Sequence, residues 1–143
     1  MNPFTDPELQ YLRTQQLARI ATASSSGQPD VSPVGFGVDD DALVSGGLDI
    51  TKTVRYKNLL ENPRATVVID DLASIDPWSP RGVKVRGAAS IESHEGGLRI
   101  RIVPEVIWSW GINEGQEKCF ASVERRTVSR QQQRAGLARR LQG

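Results

Sequence analysis

Apolar and polar positions alternate through Arg81-Gly82-Val83-Lys84-Val85-Arg86-Gly87-Ala88-Ala89-Ser90-Ile91. A period of two sends Val83 and Val85 to one face of a strand and Lys84 and Arg86 to the other. Leu98-Arg99-Ile100-Arg101-Ile102-Val103 alternates in the same way. After Pro104, Val106-Ile107-Trp108-Ser109-Trp110 predicts a further strand. Shorter strands are predicted at Ala18–Ala23, Val31–Val38 and Ala42–Ser45, separated by Ser-, Gly- and Asp-rich turns. Pro33, Gly35 and Gly37 make the second of these irregular or edge-like. Arg64–Asp70 holds the continuous run Val67-Val68-Ile69, which suits a central strand. Residues 71–80, with two prolines and Trp78, predict a loop.

Two helices complete the pattern. Thr5-Asp6-Pro7-Glu8 is a capping-box start for a helix reaching about Gln16, with Leu9, Tyr11 and Leu12 as its apolar contacts. Thr51–Glu61, stopped by Asn62-Pro63, predicts the second. Six or seven antiparallel strands with two helices point to a closed or nearly closed barrel.

The second helix introduces candidate chemistry. Lys52, Arg55 and Lys57 fall in its first turns, and Ala42-Leu43-Val44-Ser45-Gly46-Gly47 delivers it from a glycine-ended strand. Backbone N–H groups at a helix start lack intrahelical partners, and the helix dipole favours negative charge there. Added cations make a phosphate site. A solvated basic helix face accounts for the same residues.

Charge sharpens the picture. The 143 residues carry a net charge of +1, which excludes a polyanion binder acting through the whole surface. The first 50 residues hold two basic and seven acidic residues, whereas residues 51–143 hold sixteen and ten. An anionic partner would meet the second part. The stretch from Arg125 carries six arginines and no acid, but no aromatic residue is interleaved for stacking on bases. It reads as a basic tail over 126–143 following a domain over 1–125, and a nucleic-acid partner is not expected.

Cys119 is the only cysteine and His94 the only histidine. An intrachain disulfide is impossible, a zinc or iron site is not expected, and Cys119 reads as structural. No apolar run has transmembrane length, and the N-terminus lacks the features of a secretory signal, so a cytoplasmic location is expected.

Three segments, in order, resemble the flavin-binding split β-barrel family of pyridoxamine 5′-phosphate oxidase. They are the helix-to-strand unit ending Asn62-Pro63-Arg64-Ala65-Thr66-Val67-Val68, the strand Arg81–Gly87, and Pro104-Glu105-Val106-Ile107-Trp108-Ser109-Trp110-Gly111. The resemblance spans about residues 6–125. It implies a mainly β fold: a six- to seven-stranded antiparallel split β-barrel with two or three short helices.

The departures from the oxidase proper are specific. Its early strand carries an arginine and a lysine for the flavin phosphate, but Val31-Ser32-Pro33-Val34-Gly35-Phe36 has no cation. Gly82 stands where the oxidase has glutamine, and no arginine follows soon after Trp110. The pattern is closer to the short deazaflavin-dependent branch, which uses coenzyme F420.

The resemblance further implies a homodimer with the cofactor in a groove where the subunits meet. Lys52, Arg55, Lys57 and Asn58 would bind its phosphate or acidic tail. Pro33, Val34, Gly35 and Phe36, with Ser45 and Gly46, would lie along the ring. Trp78 and Trp110 are candidates for the apolar wall. The expected reaction is hydride transfer from reduced deazaflavin to an electron-poor small molecule. No dedicated catalytic residue is needed, because the cofactor carries the chemistry. The alternatives are an FMN-dependent flavin reductase or oxidase and a non-catalytic flavin- or tetrapyrrole-binding protein.

Overall fold

A computed structural model describes residues 2–113, 123–129, 131–134 and 141. Cys119, Arg130, Leu137, Arg139 and Arg140 lie outside the described residues. The chain opens with α1 (Asp6–Arg13), then β1 (Leu17–Ala23), β2 (Pro29–Gly35), β3 (Gly37–Asp39) and β4 (Ala42–Ser45). A 3₁₀ turn (Ile50–Lys52) leads into α2 (Val54–Glu61). The long strands β5 (Arg64–Ser74), β6 (Ser79–His94) and β7 (Gly97–Trp110) follow, and β8 (Glu124–Thr127) comes last.

These strands form one eight-stranded antiparallel sheet in the order β2-β1-β5-β6-β7-β4-β3, with β8 on β7. The two ends of that order, β2 and β3, are successive in the chain and separated by Phe36 alone. The sheet therefore curls until its first and last strands meet at a corner, giving the split barrel. Val31–Val38 is thus two strands that belong to opposite ends of the sheet. The interior is aliphatic: Ile20, Leu43, Ile69, Val83, Val85, Ile100, Ile102 and Ile107 are each at most 1% exposed.

The segment 71–80 differs from the predicted loop. β5 and β6 extend into it, leaving a turn over residues 75–78. The extension is held by Asp71, which faces Arg81 in register and accepts from its Nε at 2.7 Å and its Nη2 at 2.9 Å. The Tyr11 hydroxyl donates to the same carboxylate at 2.8 Å, so this cluster also pins α1. Pro104 differs too, because β7 runs straight through it. Gly87 pairs with Pro104 while Arg86 pairs with Val106, so Glu105 is the extra residue of a bulge. A bulge needs no ladder bond from the proline nitrogen. A Cβ on Gly87 would sit 1.9 Å from the Val103 carbonyl oxygen, which explains the glycine. The β6–β7 turn is a two-residue one at Glu95 (φ 49°) and Gly96 (φ 78°), the positive-φ pair that matches strand twist.

The N- and C-terminal parts of the described chain are joined by charge. Thr5 caps α1 in the expected capping box, but the helix ends at Arg13, short of Gln16. Glu8 is 1% exposed and accepts from Arg126 of β8, with Nη1 to Oε2 at 2.8 Å. Arg126 also donates to the Pro3 carbonyl. Val128 is buried, and its N–H donates to the Glu105 carbonyl at 2.8 Å. β8 therefore runs across the 125/126 position at which the basic tail was expected to begin.

Arg126→Met leaves Glu8 buried without its cation and should cost about 3–5 kcal/mol, read by urea unfolding. Glu8→Gln added to that variant should recover part of the loss, because the orphaned charge is gone. A second expectation concerns acid. The hydrogen bonds from Arg81, opposed by partial burial and aided by the Tyr11 hydroxyl, hold the Asp71 carboxyl below the usual carboxylate range. Its contribution is therefore complete above about pH 4 and is lost as pH falls through its lowered value. Asp71→Asn should flatten the acid limb of a stability–pH curve; an unchanged limb would contradict the pairing.

Candidate functional site

The end of β4, the β2–β3 corner and the β6–β7 turn enclose an open groove of about 520 Å³. Gly35, Phe36, Gly37, Val44, Ser45 and Gly46–Leu48 line one side, and His94–Arg99 the other. It thus unites Gly35, Phe36, Ser45 and Gly46 of the residues expected from sequence. The turn side was missed, because nothing local in Glu92–Gly97 says which strand end it will face. Ser45 is buried, and its hydroxyl donates to the Gly35 carbonyl at 2.8 Å, clamping the strand end to the corner. Arg99 bounds the groove with a committed charge, donating at 2.6 Å to both Asp39 and Glu92. Pro33 is exposed on β2, whereas the Val34 side chain belongs to the core.

The basic segment is built differently from the single helix expected. Asp49 caps the 3₁₀ turn by accepting from the Thr51 N–H at 3.0 Å. Thr53 then caps α2 by accepting from the Tyr56 N–H at 3.3 Å. Lys52 therefore precedes α2, is exposed, and stands 4.0 Å from Asp49. Lys57 is exposed on α2. Asn58 turns inward: it is buried and its amide donates to the Thr22 hydroxyl at 3.0 Å, fixing α2 to β1.

Arg55 is the informative member. Its Nε is buried and has no hydrogen-bond partner. Its guanidinium lies over the exposed Gly47, where one nitrogen would be 3.9 Å from an added Cβ. A buried N–H without an acceptor is costly, and here it belongs to a cation. An anionic oxygen beside Gly46-Gly47 would meet the Nη2 side of this guanidinium, so the residues present fit a phosphate.

The tryptophans stand elsewhere. Trp78 is 53% exposed in the β5–β6 turn. Trp110 ends β7 and packs on Gly82, at which a Cβ would lie 2.4 Å from its ring and 2.8 Å from the Ile69 carbonyl oxygen. The indole fills the place that a side chain at 82 would take. Gly82↔Trp110 and His94↔Gly97 are opposite ends of the β6–β7 ladder. A dozen steps of about 3.3 Å separate them along the strand. Trp110 and the groove are therefore far apart within the chain. Among the described residues no group of three or more His, Cys, Asp or Glu could hold a metal ion, and no helix is long and apolar enough to cross a membrane.

Residues 5–134 match the family described as pyridoxamine 5′-phosphate oxidase. A 5a,11a-dehydrotetracycline/5a,11a-dehydrooxytetracycline reductase of Streptomyces rimosus is 34% identical over 120 residues, covering 77% of this chain and 84% of that protein. Two solved structures share the fold. A heme binding protein from Mycobacterium smegmatis has a TM-score of 0.67 at 16% identity, covering 96% of this chain and 62% of that one. A FAD-binding protein from Mesorhizobium loti has a TM-score of 0.58 at 20% identity, covering 70% and 86%. The split barrel, the ordered segments that resembled the family and the match over nearly the whole described chain agree: the chain belongs to the pyridoxamine 5′-phosphate oxidase family of oxidoreductases.

Proposed function

We propose that this protein is an F420-dependent reductase, working as a cytoplasmic homodimer on an electron-poor small molecule. The observation that carries the reading is Arg55, whose Nη2 stands over Gly47, just past the glycine-ended strand β4, while its buried Nε has no partner. The 34% identical relative named as a reductase supports the chemistry. Bound F420 would supply a hydride from its deazaflavin ring to an electron-poor C=C or C=N bond.

The chain's own residues bind and orient. Arg55 holds the phosphate, since a planar guanidinium meets phosphate oxygens in a fork. Lys57 and Lys52, both exposed, attract the acidic tail beyond it. Asn58 acts through position, by anchoring α2 to Thr22. The backbone of Pro33–Phe36 and of Ser45–Gly46 lines the ring, and Ser45 keeps the corner and the strand end together. Trp110 reaches a groove only from a second copy, because it lies at the far end of its own ladder. The dimer thus supplies the apolar wall that excludes water, with Trp78 as the other candidate.

FMN is the competing cofactor. The absence of a cation on β2 disfavours it, and the FAD-binding structural neighbour shows that the fold also admits true flavins. Side-by-side titration with F420 and FMN decides. Preference for F420 is expected; preference for FMN would move the chain to the flavin branch, and binding of neither would overturn the enzyme reading. Arg55→Ala with Lys57→Ala should weaken F420 binding by about 1.5–3 kcal/mol per lost charged hydrogen bond. Unchanged affinity in that variant would remove the phosphate site.

A further inference from the structure

The outward face of β6, β7 and β8 carries, beside the Trp110 already given to the cofactor groove, a cluster around Trp108 that the cofactor reading leaves unused. Trp108 lies in register with Lys84 on one side and Arg125 on the other. The Lys84 ammonium stands 4.2 Å from the Trp108 ring centre, the Arg86 guanidinium 5.1 Å and the Arg125 guanidinium 5.7 Å. Three cations thus converge on one indole. None has a carboxylate within ion-pair distance among the described residues. The acids on neighbouring strands are engaged elsewhere: Asp70 with Arg19, Glu105 with Arg64, and Glu124 with the Asn113 amide.

The electron-rich face of an indole attracts each cation, but like charges this close repel one another. An anion at the cluster relieves that repulsion. The setting also selects its shape. Trp108 and Trp110 are two residues apart on one strand face, about 7 Å along it. Gly82 leaves the Trp110 ring lying flat against β6. Past Arg86 the face continues as a shallow groove of about 250 Å³ over Ala21, Ala23 and Thr66, with Arg64 at its edge. The Trp108 indole with cations beside it suits a flat conjugated molecule that carries a negative charge. A flexible acidic chain would gain nothing from the aromatic surface.

We infer that this face recognises the substrate, and that the substrate class is a planar, conjugated anion such as a carboxylate or an enolate. The inference rests on the reductase reading for calling the ligand a substrate. Lys84 and Arg86 bind its charge, and Trp108 stacks on its π system.

The test uses full-length protein without cofactor. Binding of 2-naphthoate and of uncharged 2-naphthamide is followed by ligand-observed NMR. In parallel, F420 affinity and melting temperature are measured for Lys84→Gln/Arg86→Gln and for Trp108→Leu. The naphthoate is expected to bind at least tenfold more tightly than the amide. The double variant should abolish that difference, and Trp108→Leu should weaken both ligands. F420 affinity should stay within twofold throughout. Equal binding of the two ligands to the natural protein would overturn the proposal, as would discrimination that survives in the folded double variant. A tenfold loss of F420 affinity in the double variant would also overturn it, by giving the patch to the cofactor. If the natural protein bound no F420, the reductase reading would fall, while the naphthoate comparison would still decide whether the platform exists.

Discussion

The β6–β7 ladder is the constraint on which the rest of the structure depends. Its pairs run from Gly82↔Trp110 to His94↔Gly97, and β5 hangs on one side of it while β4 and β8 hang on the other. Because side chains alternate, this register fixes two surfaces together. Val83, Val85, Ile107 and Ser109 go inward, and Gly82, Lys84, Arg86, Trp108 and Trp110 go outward. A slip of one residue would bury two cations and expose the core. The bulge at Glu105 lets the ladder bend past Pro104, and Gly87 makes room for it.

The functional geometry follows from the same ladder. Its turn end closes the groove beside Ser45 and Gly46, and its open end carries the tryptophans. A strand pair this long separates the two ends by about 40 Å. The Gly82–Trp110 contact also gives the departure from the oxidase pattern a physical content. A glutamine at 82 and an indole at 110 would compete for one space.

Much of this was legible in the sequence because it is periodic. The alternation in Arg81–Ile91 and Leu98–Val103, the capping box at Thr5 and the stop at Asn62-Pro63 are local signals that tertiary contacts left in place. What was not legible depends on partners distant in the chain. Residues 71–74 and 79–80 read as loop because Asp71 finds Arg81 and Tyr11 only in the fold. Asn58 carried no sign that Thr22 would draw it inward, and Lys52 none that Thr53 would cap the helix after it. β8 was hidden in an arginine-rich stretch, since composition cannot distinguish Arg126, which meets a buried acid, from Arg125, which faces outward.

The pairing of Glu8 with Arg126 also has a consequence for synthesis. The two residues are 118 positions apart, so α1 leaves the ribosome long before its counter-charge exists. Docking the helix early would strand a carboxylate in an apolar interior. Stable docking of α1 therefore depends on β8 being in place, which couples an early helix of the chain to a late strand.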